Sequence, residues 1–181
     1  MSYKRWLLVA IGLFSIGLVL GLTTPIDVTD LPAEDVTDEL VDLLASLPQS
    51  TLFVFIFIKN VSAVLISFVF SPIFCLAPVM ALTLNGWLIG LVSTIVIQEK
   101  SLGYLLAGLL PHGILELPAL IMGEAVALSF GTTLILSLFK EERRRLLLPN
   151  LRKNLRYLII ALTLFLPAAI IETYLTPLLL G

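Results

Sequence analysis

Pro111-His112-Gly113-Ile114-Leu115-Glu116-Leu117-Pro118 places two ionisable side chains, His112 and Glu116, inside an apolar run. His112 is the only histidine of the chain, and neither 104–110 nor 117–122 carries a charge. Ionisable groups at bilayer depth are costly, so they usually face a protein interior or a water-filled cavity and mark function. Because residues four apart share one face of a helix, we expect the two side chains to lie one above the other.

The composition indicates an integral membrane protein. Apolar residues make up 59% of the 181 positions and charged residues 13%, whereas a soluble domain has about 45–50% apolar residues and about 25% charged residues.

The single cysteine, Cys75, excludes an internal disulfide and is expected to pack as a small hydrophobic side chain. No G-x-S-x-G, H-E-x-x-H, P-loop or Rossmann pattern is present. We therefore expect no enzyme, and no soluble domain that binds nucleotide or nucleic acid.

The charges are segregated along the chain. Seven carboxylates and seven cations fall in two separate segments: Asp27, Asp30, Glu34, Asp35, Asp38, Glu39 and Asp42 in one, and Lys140, Arg143, Arg144, Arg145, Arg152, Lys153 and Arg156 in the other. By the positive-inside rule, Lys4 and Arg5 and the basic loop 140–156 face the cytoplasm. The acidic loop 23–50 and the carboxyl terminus are then extracytoplasmic. Within that loop we expect a short acidic amphipathic helix, which serves either as a lid on the bundle or as a partner-binding helix.

Four apolar runs have the length of a full span: 6–22, 50–70, 72–97 and 157–180. The first is interpreted as a retained helix rather than a signal peptide, because no small-x-small cleavage site follows it. Gly17 with Gly21, and Gly86 with Gly90, are small-xxx-small pairs that allow close helix approach, within the chain or between copies.

Residues 102–110 are too few to cross a membrane. At about 1.5 Å per residue they cover less than half of a hydrocarbon core of about 30 Å. We therefore predict a re-entrant half-helix ending at Pro111, followed by a fifth span over 111–139; a hairpin of two full spans is the alternative. The predicted fold is all-α: one polytopic membrane domain over 1–181, with five spanning helices, the half-helix and the acidic helix.

Other polar residues interrupt the apolar spans and are candidates for the same site as His112 and Glu116. Asn60 and Asn85 are expected to join an intramembrane polar cluster with that pair, and Lys59 and Glu124 are additional candidates. Imidazole and carboxylate suit zinc or another divalent ion, although two ligands are too few. The open alternatives are a metal site, a relay for protons or a polar substrate, and a hydrogen-bonded structural cluster with no cofactor.

The chain resembles the stage II sporulation protein M family of integral membrane proteins. The resemblance covers roughly 52–175 and rests on Asn60, on Asn85-Gly86 with Gly90, and above all on the stretch 111–117. It implies a multi-pass component without known catalytic activity, which in spore formers acts with partners that include peptidoglycan-cleaving enzymes. Members also occur in organisms that form no spores, so the name transfers no pathway. Lys59 and Glu124 depart from the family pattern.

Three functions are compatible with these residues. The first is a non-enzymatic protein of the cell membrane that assembles with partner membrane proteins or with a second copy. The second is a small transporter or channel that uses His112 and Glu116, and the third is an intramembrane metalloenzyme. A sealed, dry polar cluster would favour the first, and a continuous water-filled cavity reaching His112 would favour the second.

The charge segregation predicts the accessibility of single cysteine substitutions. A membrane-impermeant thiol reagent added from outside should label cysteines placed at Asp38 and Gly181, and should not label one placed at Arg144. Labelling at position 144 from outside would overturn the predicted orientation.

Overall fold

The computed structural model describes residues 3–25 and 47–180, and these residues form α-helices without any strand. The elements in chain order are α1 (Tyr3–Thr23), α2 (Gln49–Phe70), α3 (Leu76–Glu99), α4 (Leu102–Phe139), α5 (Glu141–Arg144), α6 (Leu147–Ile170), a π-helical segment (Ile171–Leu175) and α7 (Thr176–Leu180). Within residues 3–25 and 47–180, five helical stretches are long and apolar enough to cross a membrane, and the last of them runs continuously over Leu147–Leu180. The prediction of five spanning helices is therefore confirmed by length and composition.

Helix α4 is the centre of the bundle. It packs against α1, α2, α3 and α6, and an uninterrupted run of its residues, 123–129, is buried. This run contains Gly123, Ala125 and Ala127, whose small side chains let neighbouring helices approach. The stretch 111–118 lies on this same helix, so the bundle is organised around the element that carries His112 and Glu116.

The predicted re-entrant half-helix is wrong in its central feature, because α4 does not break at Pro111. Ser101 caps the helix by accepting a hydrogen bond from the Tyr104 amide at 3.1 Å, and 38 residues then run without interruption through Pro111 and Pro118. A proline inside a helix removes one backbone hydrogen bond, but membrane helices tolerate it where neighbouring groups satisfy the freed carbonyl. At about 1.5 Å per residue α4 is about 57 Å long, so it is long enough to span a membrane by itself.

Two further predictions concern the loops. The basic loop predicted over 140–156 is largely helical, because α5 occupies Glu141–Arg144 and α6 already begins at Leu147. Asn150 and Asn154 explain the early start, since their amides donate to side chains of α4 and fasten the first turns of α6 to it. The predicted acidic helix lies outside the described residues.

Glycines bring α1 and α3 into backbone contact. A Cβ atom built on Gly17 would lie within 3.0 Å of the Thr83 carbonyl, and one built on Gly86 would lie equally close to the Phe14 carbonyl. Gly21 and Gly90 face backbone atoms of the opposite helix in the same way. The two predicted glycine pairs thus meet each other within one chain, and each pair leaves the other helix room to approach.

Replacing Gly17 or Gly86 with leucine should destabilise the protein, because the added side chain would collide with backbone atoms that cannot rotate away. We expect a loss of at least about 1–3 kcal/mol, seen as a lower thermal unfolding temperature in detergent.

Gly12→Leu is the matched control. Gly12 lies on the same helix with nothing within 4 Å of the position of a Cβ atom, so its replacement should leave the unfolding temperature unchanged. Equal effects at positions 12 and 17 would contradict the packing described here.

Candidate cation site within the membrane bundle

A cavity of about 410 Å³ lies between α2, α3, α4 and the π-helical segment. The polar or charged side chains among its lining residues are Lys59, Asn85, Ser93, His112, Glu116 and Glu172. The remainder of the wall is apolar, apart from Gly113, and comes mainly from leucines of α3 and α4. Concave sites with an apolar wall and a few convergent polar groups are the usual form of a binding site.

Glu116 is held between helices α2 and α4. The side-chain amide of Asn60 donates a hydrogen bond of 3.1 Å to Glu116 Oε1. The other carboxylate oxygen, Oε2, lies 3.8 Å from His112 Nε2, one helical turn earlier. The i,i+4 spacing in the sequence therefore does bring the two side chains together, and Asn60 fixes which oxygen faces the histidine.

The other ring nitrogen of His112 faces Thr176 of the last span. Nδ1 lies 3.4 Å from the Thr176 hydroxyl oxygen, and that oxygen lies 3.3 Å from the Ile171 carbonyl oxygen. When the Thr176 hydrogen points to the Ile171 carbonyl, the hydroxyl oxygen accepts from Nδ1–H of His112, and Nε2 is an unprotonated acceptor that faces Glu116. When the hydroxyl donates to Nδ1 instead, His112 carries its proton on Nε2 and presents a donor to Glu116.

Glu172 is brought to the site by an irregular turn of the last span. Residues 171–175 form a π-helical turn in which the Thr176 amide bonds to the Ile171 carbonyl, five residues earlier. Pro177 contributes to this irregularity, because it has no N–H to donate to the carbonyl of Thr173. Single π-helical turns are frequent at functional sites. This turn contains Glu172, and Thr176 follows it directly.

Three ligand atoms, one each from His112, Glu116 and Glu172, lie within 4.8 Å of one another. When His112 is in the Nδ1–H tautomer and both carboxylates are ionised, all three atoms are acceptors and their lone pairs face each other at short range. Such an arrangement is repulsive unless a positive charge lies among them. A bound cation relieves this repulsion, and so does a proton on Nε2 of His112 or on one of the carboxyl groups.

Asn85, Lys59 and Glu124 were the other candidates for this site, and none of them hydrogen-bonds to His112 or Glu116 in the described part of the chain. Asn85 lines the cavity, but its amide donates to the Ala81 carbonyl of its own helix at 2.7 Å. Lys59 lines the same cavity and is otherwise exposed. Glu124 does not belong to this group: it is fully buried, accepts a hydrogen bond from Ser67, and its Oε1 has no hydrogen-bond partner among the described residues.

Sequence reasoning missed Glu172 as a member of the site. The signal was present, because Glu172 is a lone carboxylate in an apolar span shortly before Pro177. Glu172 lies on a different helix from His112, and sequence spacing does not predict contacts between separate helices. The π-helical turn also changes the direction of its side chain, and helical periodicity does not extend across such a turn.

The fold is that of a membrane protein, with spanning-length helices around a cavity that carries polar and charged side chains. A family model described as Stage II sporulation protein M matches residues 9–177, and the chain belongs to that family. An uncharacterized protein of Methanocaldococcus jannaschii is 23% identical over 172 residues, which cover 94% of this chain and 93% of that protein. No solved structure matches the chain.

Proposed function

We propose that this protein binds a divalent cation in the cavity between α2, α3 and α4, and that it acts as a small transporter or channel for that ion. The observation that supports this function is the convergence of acceptor atoms from His112, Glu116 and Glu172. All three residues line the same cavity, which supports a binding site over a sealed hydrogen-bonded cluster.

The charge of the cavity favours a cation. Two carboxylates, Glu116 and Glu172, share the lining with one ammonium group, that of Lys59. With neutral His112 the cavity therefore has an excess of negative charge, in a region where water screens it poorly. Lys59 balances part of this charge when no ion is bound, and an entering ion takes over that role.

The ligand types favour zinc or a similar transition-metal ion over magnesium or calcium. Imidazole is a preferred ligand of zinc, whereas magnesium and calcium prefer oxygen ligands alone. Three protein ligands leave a fourth position of a tetrahedral ion open, which suits an ion that must also leave. Thr176 and Asn60 are the outer partners that orient the histidine and the carboxylate.

Zinc binding to purified, chelator-treated protein in detergent tests this function. The wild-type protein should bind one zinc ion per chain, measured by isothermal titration and by metal content after desalting. Glu116→Gln and Glu172→Gln should each weaken binding by at least about tenfold, because each removes a charged ligand while keeping the side-chain shape.

Glu124→Gln is the matched control, since Glu124 is buried against Ser67 and lies outside the cavity. This variant should bind zinc as the wild type does. Unchanged zinc binding in both Glu116→Gln and Glu172→Gln, with all variants folded, would contradict a cation site at this position.

A separate experiment distinguishes transport from binding alone. Vesicles that contain the wild-type protein should take up zinc, whereas a protein that only binds zinc would give no uptake.

The orientation proposed for this function follows the charge segregation. With five crossings, the amino-terminal Lys4 and Arg5 and the basic segment around α5 lie on one side of the membrane, and the segment between α1 and α2 lies on the other. We therefore propose a protein of the cell membrane with a cytoplasmic amino terminus and an extracytoplasmic carboxyl terminus. The continuous helix α4 crosses once, as the predicted half-helix and fifth span together would have done. The number of crossings is therefore still five, and the predicted orientation is the same. No catalytic activity forms part of the proposal.

Assembly with partner membrane proteins is the second candidate, and family membership is the observation that favours it. The glycine pairs do not add support, because α1 and α3 of one chain already use all four of them. A complex larger than one chain in mild detergent, unchanged by Glu116→Gln, would support assembly as a function separate from the cation site.

A further inference from the structure

The outer face of α6 forms a basic groove of about 700 Å³. Two rows of residues at four-residue spacing line it, so the groove follows one face of the helix. One row is Leu148, Arg152, Arg156 and Ile160; the other is Pro149, Lys153 and Tyr157. The cations thus occupy the middle of the groove, with apolar side chains at both ends.

The cations of the groove are not neutralised within the described part of the chain. Arg152, Lys153 and Arg156 are exposed, and none makes an ion pair with a carboxylate of residues 3–25 or 47–180. On the opposite face of the helix, the Asn154 amide donates to Ser129 of α4 at 3.4 Å and anchors that face to the bundle. The basic face is therefore directed away from the bundle by a fixed contact.

The groove lies at the level where the spanning part of the bundle begins. The ring of Tyr157 stacks on that of Tyr3, at the start of α1, with ring centroids 3.9 Å apart and the planes at 2°. Directly beyond Tyr157, the outward side chains of Ile159 and Ile160 are apolar and are 63% and 49% exposed. Tyrosines at the edge of an apolar belt are typical of the headgroup region of a membrane.

We propose that this groove binds the headgroup of an anionic phospholipid. Guanidinium groups bind phosphate oxygens in a bidentate manner, which suits Arg152 and Arg156 one turn apart. Ile160 continues the groove toward the hydrocarbon and contacts the acyl chains of the same lipid. Basic pockets at the cytoplasmic ends of membrane helices bind lipid headgroups in this way. The site is separate from the cation site and does not depend on it.

Native mass spectrometry of the purified protein in detergent tests the proposal, with phosphatidylglycerol and phosphatidylcholine of identical acyl chains as probes. The wild type should retain phosphatidylglycerol in preference to phosphatidylcholine. The triple variant Arg152→Gln, Lys153→Gln, Arg156→Gln should bind phosphatidylglycerol at least about tenfold more weakly, because three cations at the headgroup are removed.

The matched control is the triple variant Lys140→Gln, Arg143→Gln, Arg145→Gln, which removes the same charge from exposed positions outside the groove. This control should keep the preference for phosphatidylglycerol. Arg152→Lys with Arg156→Lys retains the charge and should keep most of the binding, which guards against misfolding of the glutamine variant. Equal weakening in both triple variants would show that only bulk charge matters, and displacement of the lipid by inorganic phosphate would show a free-anion site; either result overturns the proposal.

Discussion

The need of a partly buried carboxylate for hydrogen-bond partners among apolar helices is the constraint on which this structure depends. The side chain of Glu116 is only 24% exposed and lies among apolar helix faces, so most of its partners must come from the protein. Asn60 supplies one donor from α2, and His112 faces the other oxygen from the preceding turn of α4. Because Nδ1 of His112 lies within hydrogen-bond distance of the Thr176 hydroxyl, the last span contacts the same group. Three spanning elements are thereby fixed relative to each other by one set of polar contacts.

The wall of the cavity also depends on the glycine contact between α1 and α3. The glycines of α1 and α3 allow their backbones to touch, which holds α3 in a defined position beside α4. Since there is no hydrophobic driving force between helices in lipid, close packing of this kind is what aligns them. Asn85 and Ser93 of α3 then line the cavity together with the ionisable residues of α4 and the last span. The glycine contact on one face of α3 thus positions the face of the same helix that lines the cavity.

Patterns that depend on neighbouring residues could be predicted from the sequence, and contacts between distant elements could not. Apolar run length indicated five spanning helices, the i,i+4 spacing indicated that His112 and Glu116 share a face, and small-xxx-small spacing indicated a close helix contact. The continuity of α4 through Pro111 was missed, because the tolerance of a proline depends on helices packed around it. Glu172 was missed because the π-helical turn alters the direction of its side chain and no periodicity reports that change.

The central claim is that His112 and its neighbouring carboxylates are the ligands of a cation, and X-ray absorption at the zinc edge of zinc-loaded protein tests it most directly. We predict a nearest shell of nitrogen and oxygen at about 2.0–2.2 Å, with outer scattering from a single imidazole ring that disappears in His112→Ala. A spectrum with no imidazole contribution, or one that His112→Ala leaves unchanged, would contradict the claim.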